Sequence, residues 1–285
     1  MHGATGPNEP DRAAGRDAGC APASSPQPTF GTQPTFGTRP MSGRLGRALA
    51  RAGRAALDLV LPPQCPVCGV LVGNPGLCAA CWRAMPWIER PYCERLGIPF
   101  AFESGSQLSP AALADPPAYG RARAAARFEG PAQVLVHALK YRSREELARV
   151  MGPWMARAGR ELLAQSDVLV PVPLHWTRLW RRGFNQSAVL AREVSRASGV
   201  PVALDALARA RRTPSQIGLT SSARRRNVAG AFRVRPERRI DIEGRAVLLV
   251  DDVVTSGPTV EACTRTLLRA GAARVDVLAF ARVVA

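Results

Sequence analysis

Val247-Leu-Leu-Val-Asp251-Asp252-Val-Val-Thr255-Ser256-Gly257-Pro258-Thr259 is the stretch on which the reading of the fold turns. An unbroken apolar run ends in two carboxylates, and a loop of hydroxyl residues and glycine then opens a helix over 258–270. A run with no polar alternation predicts a strand buried on both faces, which is the habit of a parallel sheet. In open α/β sheets, ligands sit beyond the carboxyl ends of the strands. A small-residue loop at a helix N-terminus offers backbone N–H groups, hydroxyls and a favourable dipole to a phosphate. Paired carboxylates at the strand tip are placed to accept hydrogen bonds from ribose hydroxyls. The Asp-Asp pair alone also suits a metal site, and the Thr-Ser-Gly loop alone suits a helix cap. Each of these explains half of the stretch, whereas a 5-phosphoribosyl site explains all of it.

Working outward, Val168-Leu-Val-Pro-Val-Pro173 is a second buried strand, residues 184–198 suit a helix, and Val275–Val284 is a closing strand. Strands alternating with helices predict an α/β fold, a parallel sheet flanked by helices, over residues 118–285. Upstream of a Pro- and Ala-rich stretch at 108–118 lies a compact segment, residues 62–100, holding five of the seven cysteines. Cys65-Pro-Val-Cys68 and Cys78-Ala-Ala-Cys81 are two C-x-x-C pairs, and four thiolates complete the tetrahedral shell of a structural zinc. Disulfides or a redox dithiol are the alternatives. Disulfides do not suit an intracellular chain, and a redox C-x-x-C follows a strand in a larger fold. A closed four-thiolate site would supply on the order of 10 kcal/mol towards folding a segment too small to fold alone. Cys93 has no second ligand set nearby and reads as a free thiol, and Cys263 reads as helical core.

The 285 residues carry 39 Lys+Arg against 22 Asp+Glu, a formal net charge of +17, and 46% are hydrophobic. That composition supports a real core and excludes a wholly disordered basic protein. No apolar run approaches the roughly 20 residues of a membrane span, and no apolar stretch of signal-peptide kind follows Met1. A cytoplasmic location with no membrane span is therefore expected. Residues 1–42 are rich in Gly, Pro, Ala, Ser and Thr, contain the repeat Gln27-Pro-Thr-Phe-Gly-Thr32/Gln33-Pro-Thr-Phe-Gly-Thr38, and read as a disordered tail. Residues 43–61 follow a basic amphipathic helical pattern, suited to packing on the next domain and less to a membrane surface.

Lys140 is the single lysine, every other basic side chain being arginine. Codon bias accounts for the arginines, and a lysine retained against it points to a place where a compact ammonium matters. Between Arg178 and Arg245 the chain carries 16 arginines and five acidic residues. Two or three of these would neutralise a pyrophosphate, leaving Arg224-Arg225-Arg226 and Arg238-Arg239 as candidates to follow a nucleic-acid backbone. His175, Trp176, Trp180 and Phe184 interleave with the first arginines in a manner compatible with base stacking. A solvated basic surface with core aromatics is the plainer alternative.

Together these motifs are specific. The 247–259 stretch resembles the PRPP-binding signature of type I phosphoribosyltransferases. With the cysteine pairs and Pro171-Val-Pro173…Arg178…Arg182-Gly-Phe-Asn-Gln186, residues 55–285 resemble the ComF family, competence-associated proteins that join a zinc ribbon to a phosphoribosyltransferase domain. The resemblance implies that Asp251 and Asp252 hold the ribose hydroxyls and act as the catalytic pair. It implies that Val253, Val254, Thr255, Ser256, Gly257 and Thr259 surround the 5-phosphate. Pro171, Val172 and Pro173 fall where the family has its pyrophosphate loop, with Arg178 and Arg182 as cationic partners. Lys140 stands in a family motif, His137-Ala-Leu-Lys-Tyr141, and residues 216–228 match the flexible hood. The implied ligands are Mg with PRPP, or a nucleotide, with structural zinc on Cys65, Cys68, Cys78 and Cys81. The implied activity is transfer of phosphoribosyl to a nitrogen base with release of pyrophosphate, in DNA uptake or nucleotide salvage. The alternative is a non-catalytic accessory of transformation that binds single-stranded DNA, meets DNA-uptake or processing proteins, and uses PRPP or a nucleotide only as a ligand.

Two positions depart from the family pattern. Cys93-Glu-Arg-Leu96-Gly97-Ile-Pro-Phe100 has leucine at the second cysteine of a further C-x-x-C. The phosphate loop has Pro258 where a residue with an N–H is usual, and proline donates no hydrogen bond. Pro258→Ala is accordingly expected to tighten Mg-PRPP binding in a calorimetric titration; equal affinity for the two proteins would remove the idea.

Overall fold

The computed structural model describes residues 62–100, 107–141, 144–211 and 230–284. The expected tail at 1–42, the expected helix at 43–61, the expected hood at 216–228 and Arg224-Arg225-Arg226 within it lie outside these residues. In chain order the elements are α1 (Ala79–Arg83), α2 (Pro110–Ala114), β1 (Ala122–Arg127), α3 (Gly130–Tyr141), α4 (Ala148–Ala158), α5 (Arg160–Leu163), β2 (Val168–Pro171) and α6 (Trp176–Arg182). They continue with α7 (Gln186–Ser198), β3 (Leu207–Arg209), β4 (Phe232–Val234), β5 (Ala246–Val254), α8 (Pro258–Arg269) and β6 (Arg274–Arg282).

Four strands form a parallel sheet in the order β1-β6-β5-β2, with Val168–Pro171 registered on Val247–Val250 and Ala246–Val254 on Arg274–Arg282. The uninterrupted apolar runs are explained by the two faces. Leu169, Leu248, Val250, Leu278 and Phe280 pack with α3, α4 and α7. Val168, Val170, Val247, Leu249 and Val277 pack with α8 and the β3–β4 hairpin. Each such side chain contributes about 1.5–3 kcal/mol when removed from water, so β5 and β6, each buried on both faces and paired on both edges, are the best-anchored strands. Among the described residues no helix is long and apolar enough to cross a membrane.

The cysteine segment is fastened to this sheet in three ways. Its residues 86–88 run along β1: Ile88 N–H donates to Ala125 O (3.0 Å) and Arg127 N–H to Pro86 O (2.9 Å), covering the exposed edge of the sheet. Trp82 and Trp87 of the segment meet Trp154 of α4 at ring-centroid distances of 5.4 and 5.3 Å, and Trp154 continues to Phe280 in the core at 6.3 Å. Arg123 of β1, only 3% exposed, donates to Glu94 O (2.7 Å) and to Glu161 Oε1 (2.6 Å), pairs with both carboxylates, and lies over the Tyr92 ring at 4.6 Å.

A buried guanidinium with every neighbour arranged around it is costly to remove, because the carboxylates left behind lose their partner. Arg123→Met is expected to lower stability by about 3 kcal/mol in urea-induced unfolding; a loss under about 1 kcal/mol would show that the cluster contributes no more than a surface pair.

Candidate functional site

The carboxyl ends of β2 and β5 open into a cleft of about 470 Å³ whose walls include Lys140, Val172, Pro173, Arg178, Arg182, Ser187, Arg209, both aspartates and the loop after β5. Strand β5 carries Asp251 and Asp252 to its mouth, each only 8% exposed. Two adjacent carboxylates at that depth must be compensated. Ser187 Oγ, in the first turn of α7, donates to Asp251 Oδ1 (2.9 Å), and the Asp252 N–H donates to the same oxygen (2.9 Å). Val253 N–H donates to Asp252 Oδ1 (2.8 Å), and Lys140 Nζ pairs with Asp252 Oδ2 at 2.9 Å. The single lysine thus sits in the last turn of α3 and projects from there onto the second carboxylate. Burial first, and the Asp252 charge second, push the Asp251 carboxyl up to about 7.

The loop after β5 turns at Gly257, which holds φ +91° as the residue before α8. Side chains with a Cβ rarely adopt that conformation, so the turn depends on glycine. Val253, Val254, Thr255, Gly257 and Thr259 line the cleft, and Pro258 opens α8 at a position where its missing N–H costs the helix nothing. Ser256 instead lines a neighbouring cavity of about 550 Å³, with Gly257, Tyr119, Glu261 and Arg282.

On the opposite wall, Pro171 is buried at the end of β2, paired with Val250, while Val172 and Pro173 face the cleft. Asn185 fixes this wall twice over: its Nδ2 donates to Val172 O (3.0 Å), and its Oδ1 accepts from Ser187 N–H (3.1 Å), capping α7. Helix α6 supplies Arg178 and Arg182 to the cleft; Arg182 lies over the Tyr141 ring at 5.3 Å and donates to Gln186 Oε1 (3.1 Å). His175 caps α6, its Nδ1 accepting from Thr177 N–H (3.3 Å).

Sequence reasoning missed Arg209. It lies on β3, over the Phe232 ring at 5.3 Å, and lines the cleft with Arg178. Burial, and then the neighbouring Arg178 charge, hold its pKa below the ordinary arginine value. A three-residue strand in a long arginine-rich stretch leaves no periodic signal; only the hairpin brings it here. Ser187 was missed for the same reason, its partner being on a distant strand. Four cations and two carboxylates therefore face one cavity, an arrangement suited to a polyanionic ligand that also carries hydroxyl donors.

In the cysteine segment, the sulfurs of Cys65, Cys68, Cys78 and Cys81 all lie within 4.8 Å of one another, with Cys68 Sγ and Cys78 Sγ 3.6 Å apart. Burial pushes the Cys65 thiol up, but the backbone N–H groups of Cys78, Cys68 and Val67 outweigh it and bring it down to about 6. Four sulfurs converging at this spacing fit a structural zinc, whose Zn–S bonds are about 2.3 Å. They leave no open coordination position for chemistry.

Comparison with known proteins agrees with both halves. The double zinc ribbon domain family matches residues 56–113, and the phosphoribosyl transferase domain family matches residues 181–283. The sheet takes β1 and β2 from upstream of the second match. "DNA utilization protein YhgH" of Escherichia coli (strain K12) is 34% identical over 232 residues, covering 79% of this chain and 99% of that protein. The protein of the same name from Salmonella typhimurium is 34% identical over 231 residues, with the same coverage. "Competence protein F" of Haemophilus influenzae is 27% identical over 216 residues, covering 74% of this chain and 92% of that protein.

The buried carboxyl has a consequence for stability. A native pKa near 7 against about 3.9 in the unfolded chain means that the folded state holds the extra proton between those values. Stability contributed at this site therefore falls as pH rises from about 4 to about 7 and levels off above. Asp251→Asn removes that slope, so the variant is expected to gain on the wild type by on the order of 4 kcal/mol across the interval. Urea unfolding at a series of pH values would measure it, and parallel profiles for the two proteins would contradict it.

Proposed function

The chain belongs to the ComF family, and from that premise we propose that its cleft binds Mg-PRPP and transfers the 5-phosphoribosyl group to a nitrogen base. The observation that carries the proposal is the convergence, in one cavity, of the buried Asp251–Asp252 pair, the small-residue loop through Gly257 and the wall of Arg178, Arg182 and Arg209. Asp251 and Asp252 accept hydrogen bonds from the ribose hydroxyls, and the backbone and hydroxyls of 255–259 take the 5-phosphate. Val172 and Pro173 with the arginines take the pyrophosphate. Mg bound with PRPP adds charge neutralisation at the same pyrophosphate. In the transfer, the bond from sugar C1 to the pyrophosphate oxygen breaks with its electron pair leaving on pyrophosphate. The acceptor nitrogen bonds to C1 and gives up its proton to water. The chain's own contribution is positioning and stabilisation of the departing charge. Structural zinc at Cys65, Cys68, Cys78 and Cys81 holds the ribbon, and the setting is cytoplasmic.

A second reading, binding of single-stranded DNA, has its own observation. Trp176 and Trp180 lie one turn apart on α6 and are 69% and 87% exposed, beside Arg178 and Arg182. Exposed indoles interleaved with guanidinium groups suit base stacking with backbone neutralisation. The relatives' names, one speaking of DNA utilization and one of competence, support the same direction, as does the Arg224-Arg225-Arg226 run.

Titration calorimetry of Mg-PRPP into the zinc-loaded chain tests the first reading. Micromolar binding is expected, weakened at least about 100-fold in Asp251→Asn/Asp252→Asn, which is roughly the loss of two hydrogen bonds to charged groups. Absence of binding by a folded wild type would sink it. For the second reading, fluorescence anisotropy with a labelled oligothymidylate should show salt-sensitive binding that falls about tenfold or more in Trp176→Ala/Trp180→Ala and is indifferent to Asp251→Asn/Asp252→Asn.

A further inference from the structure

The segment between Pro63 and Ala114 is one structural motif written twice. In the first copy, Cys65 N–H donates to Val70 O (2.8 Å), Gly69 N–H to Cys65 O (2.9 Å) and Val72 N–H to Pro63 O (2.9 Å), and Gln64 bridges Leu71 antiparallel. In the second, Cys93 N–H donates to Ile98 O (2.8 Å), Gly97 N–H to Cys93 O (2.7 Å) and Phe100 N–H to Pro91 O (3.0 Å), and Tyr92 bridges Pro99 antiparallel. Both turns close on a left-handed glycine, Gly69 at φ +76° and Gly97 at φ +64°. Each copy then ends in a five-residue helix with a side-chain cap. Cys78 Sγ accepts from Cys81 N–H ahead of α1, and Ser109 Oγ accepts from Ala112 N–H ahead of α2.

The correspondence assigns every metal-ligand position. Cys65, Cys68, Cys78 and Cys81 of the first lobe match Cys93, Leu96, Ser109 and Ala112 of the second. One thiol of four remains, too few for a zinc shell built of N, S or O ligands. Its surroundings have been rebuilt around a sulfur without an ion. Cys93 Sγ is fully buried and accepts from Ser109 N–H (3.2 Å), Ser109 Oγ (3.3 Å) and Leu96 N–H (3.5 Å). Leu96 and Ala112 are buried, and with Cys93 they belong to the same apolar cluster as Val168, Val247 and Val277 of the sheet. The turn approaches β1 so closely that a Cβ on Gly97 would collide with Ala122 O.

We infer that the second ribbon lobe is metal-free: hydrogen bonds to one thiol and packing on the sheet have taken over the work of its ion. The chain then holds one zinc, in the first lobe, although the matching family is a double ribbon. The second lobe stays folded when that zinc is withdrawn.

The test counts zinc in the full chain by native mass spectrometry and elemental analysis, and substitutes cobalt to read the thiolate charge-transfer band. One metal per chain is expected in the wild type and in Cys93→Ser, with an unchanged cobalt band, and none in Cys65→Ser/Cys78→Ser. Leu96→Cys/Ser109→Cys/Ala112→Cys is expected to bind two. Two metals in the wild type, or a loss of metal in Cys93→Ser, would overturn the inference. The wild-type count decides the matter even if a variant fails to fold. Hydrogen exchange after chelation should show Cys93, Gly97 and Phe100 amides still protected while those of Cys65 and Gly69 open; opening of both lobes together would also count against it.

Discussion

Two neighbouring carboxylates held out of water at the end of β5 set the terms for the rest of the site. Charge buried in this way must be met by hydrogen bonds and an opposite charge, or it shifts its pKa. Here all three occur: Ser187 and a backbone N–H on Asp251, Lys140 on Asp252, and an Asp251 carboxyl that keeps its proton to about 7. The compensating groups come from α3 and α7, which pack on one face of the sheet, so the site exists only once that face is assembled. A ligand that brings hydroxyl donors to the carboxylates and negative charge to the arginines completes a partial balance already struck within the chain.

The β5 run and its two aspartates were legible because every determinant is local: an apolar strand, a pair of acids, a small-residue loop and a helix follow in sequence. The cysteine pairs were legible for the same reason. Arg209 and Ser187 were not, because their roles depend on which strand tip they face across the fold. Strand β1 was obscure for another reason. Ala122-Arg-Ala-Ala-Ala-Arg127 has weak strand propensity and carries an arginine at its second position, a residue type usually exposed. It is a strand because β6 pairs with one edge and residues 86–88 cover the other, and Arg123 is buried because Glu94 and Glu161 surround it. Pairing and counter-charges supplied from elsewhere override what the local residues prefer.

The two ribbon lobes show two solutions to one physical problem. A segment of this size cannot bury enough surface to fold by itself. The first lobe keeps Cys68 exposed and Cys65 and Cys81 buried around a shared centre, where ligand bonds supply what packing cannot. The second lies against β1 and the α8 face of the sheet, so apolar contact is available to it and its ligand positions have turned into core. Where each lobe sits decides which kind of stabilisation it uses.

The ladder of indole rings from Trp82 and Trp87 through Trp154 to Phe280 bears on how separable the two halves are. Domains joined only by a linker can be exchanged or lost singly during evolution. Here the ribbon contributes rings to the same stack as α4 and the sheet, and its own residues 86–88 hide the sheet's edge. Cutting the chain before β1 would leave the phosphoribosyl transferase domain with an open strand and an uncovered aromatic face, a sticky fragment inclined to self-association. The two halves therefore form one compact unit, and a change at their shared ring stack or strand edge is felt by both.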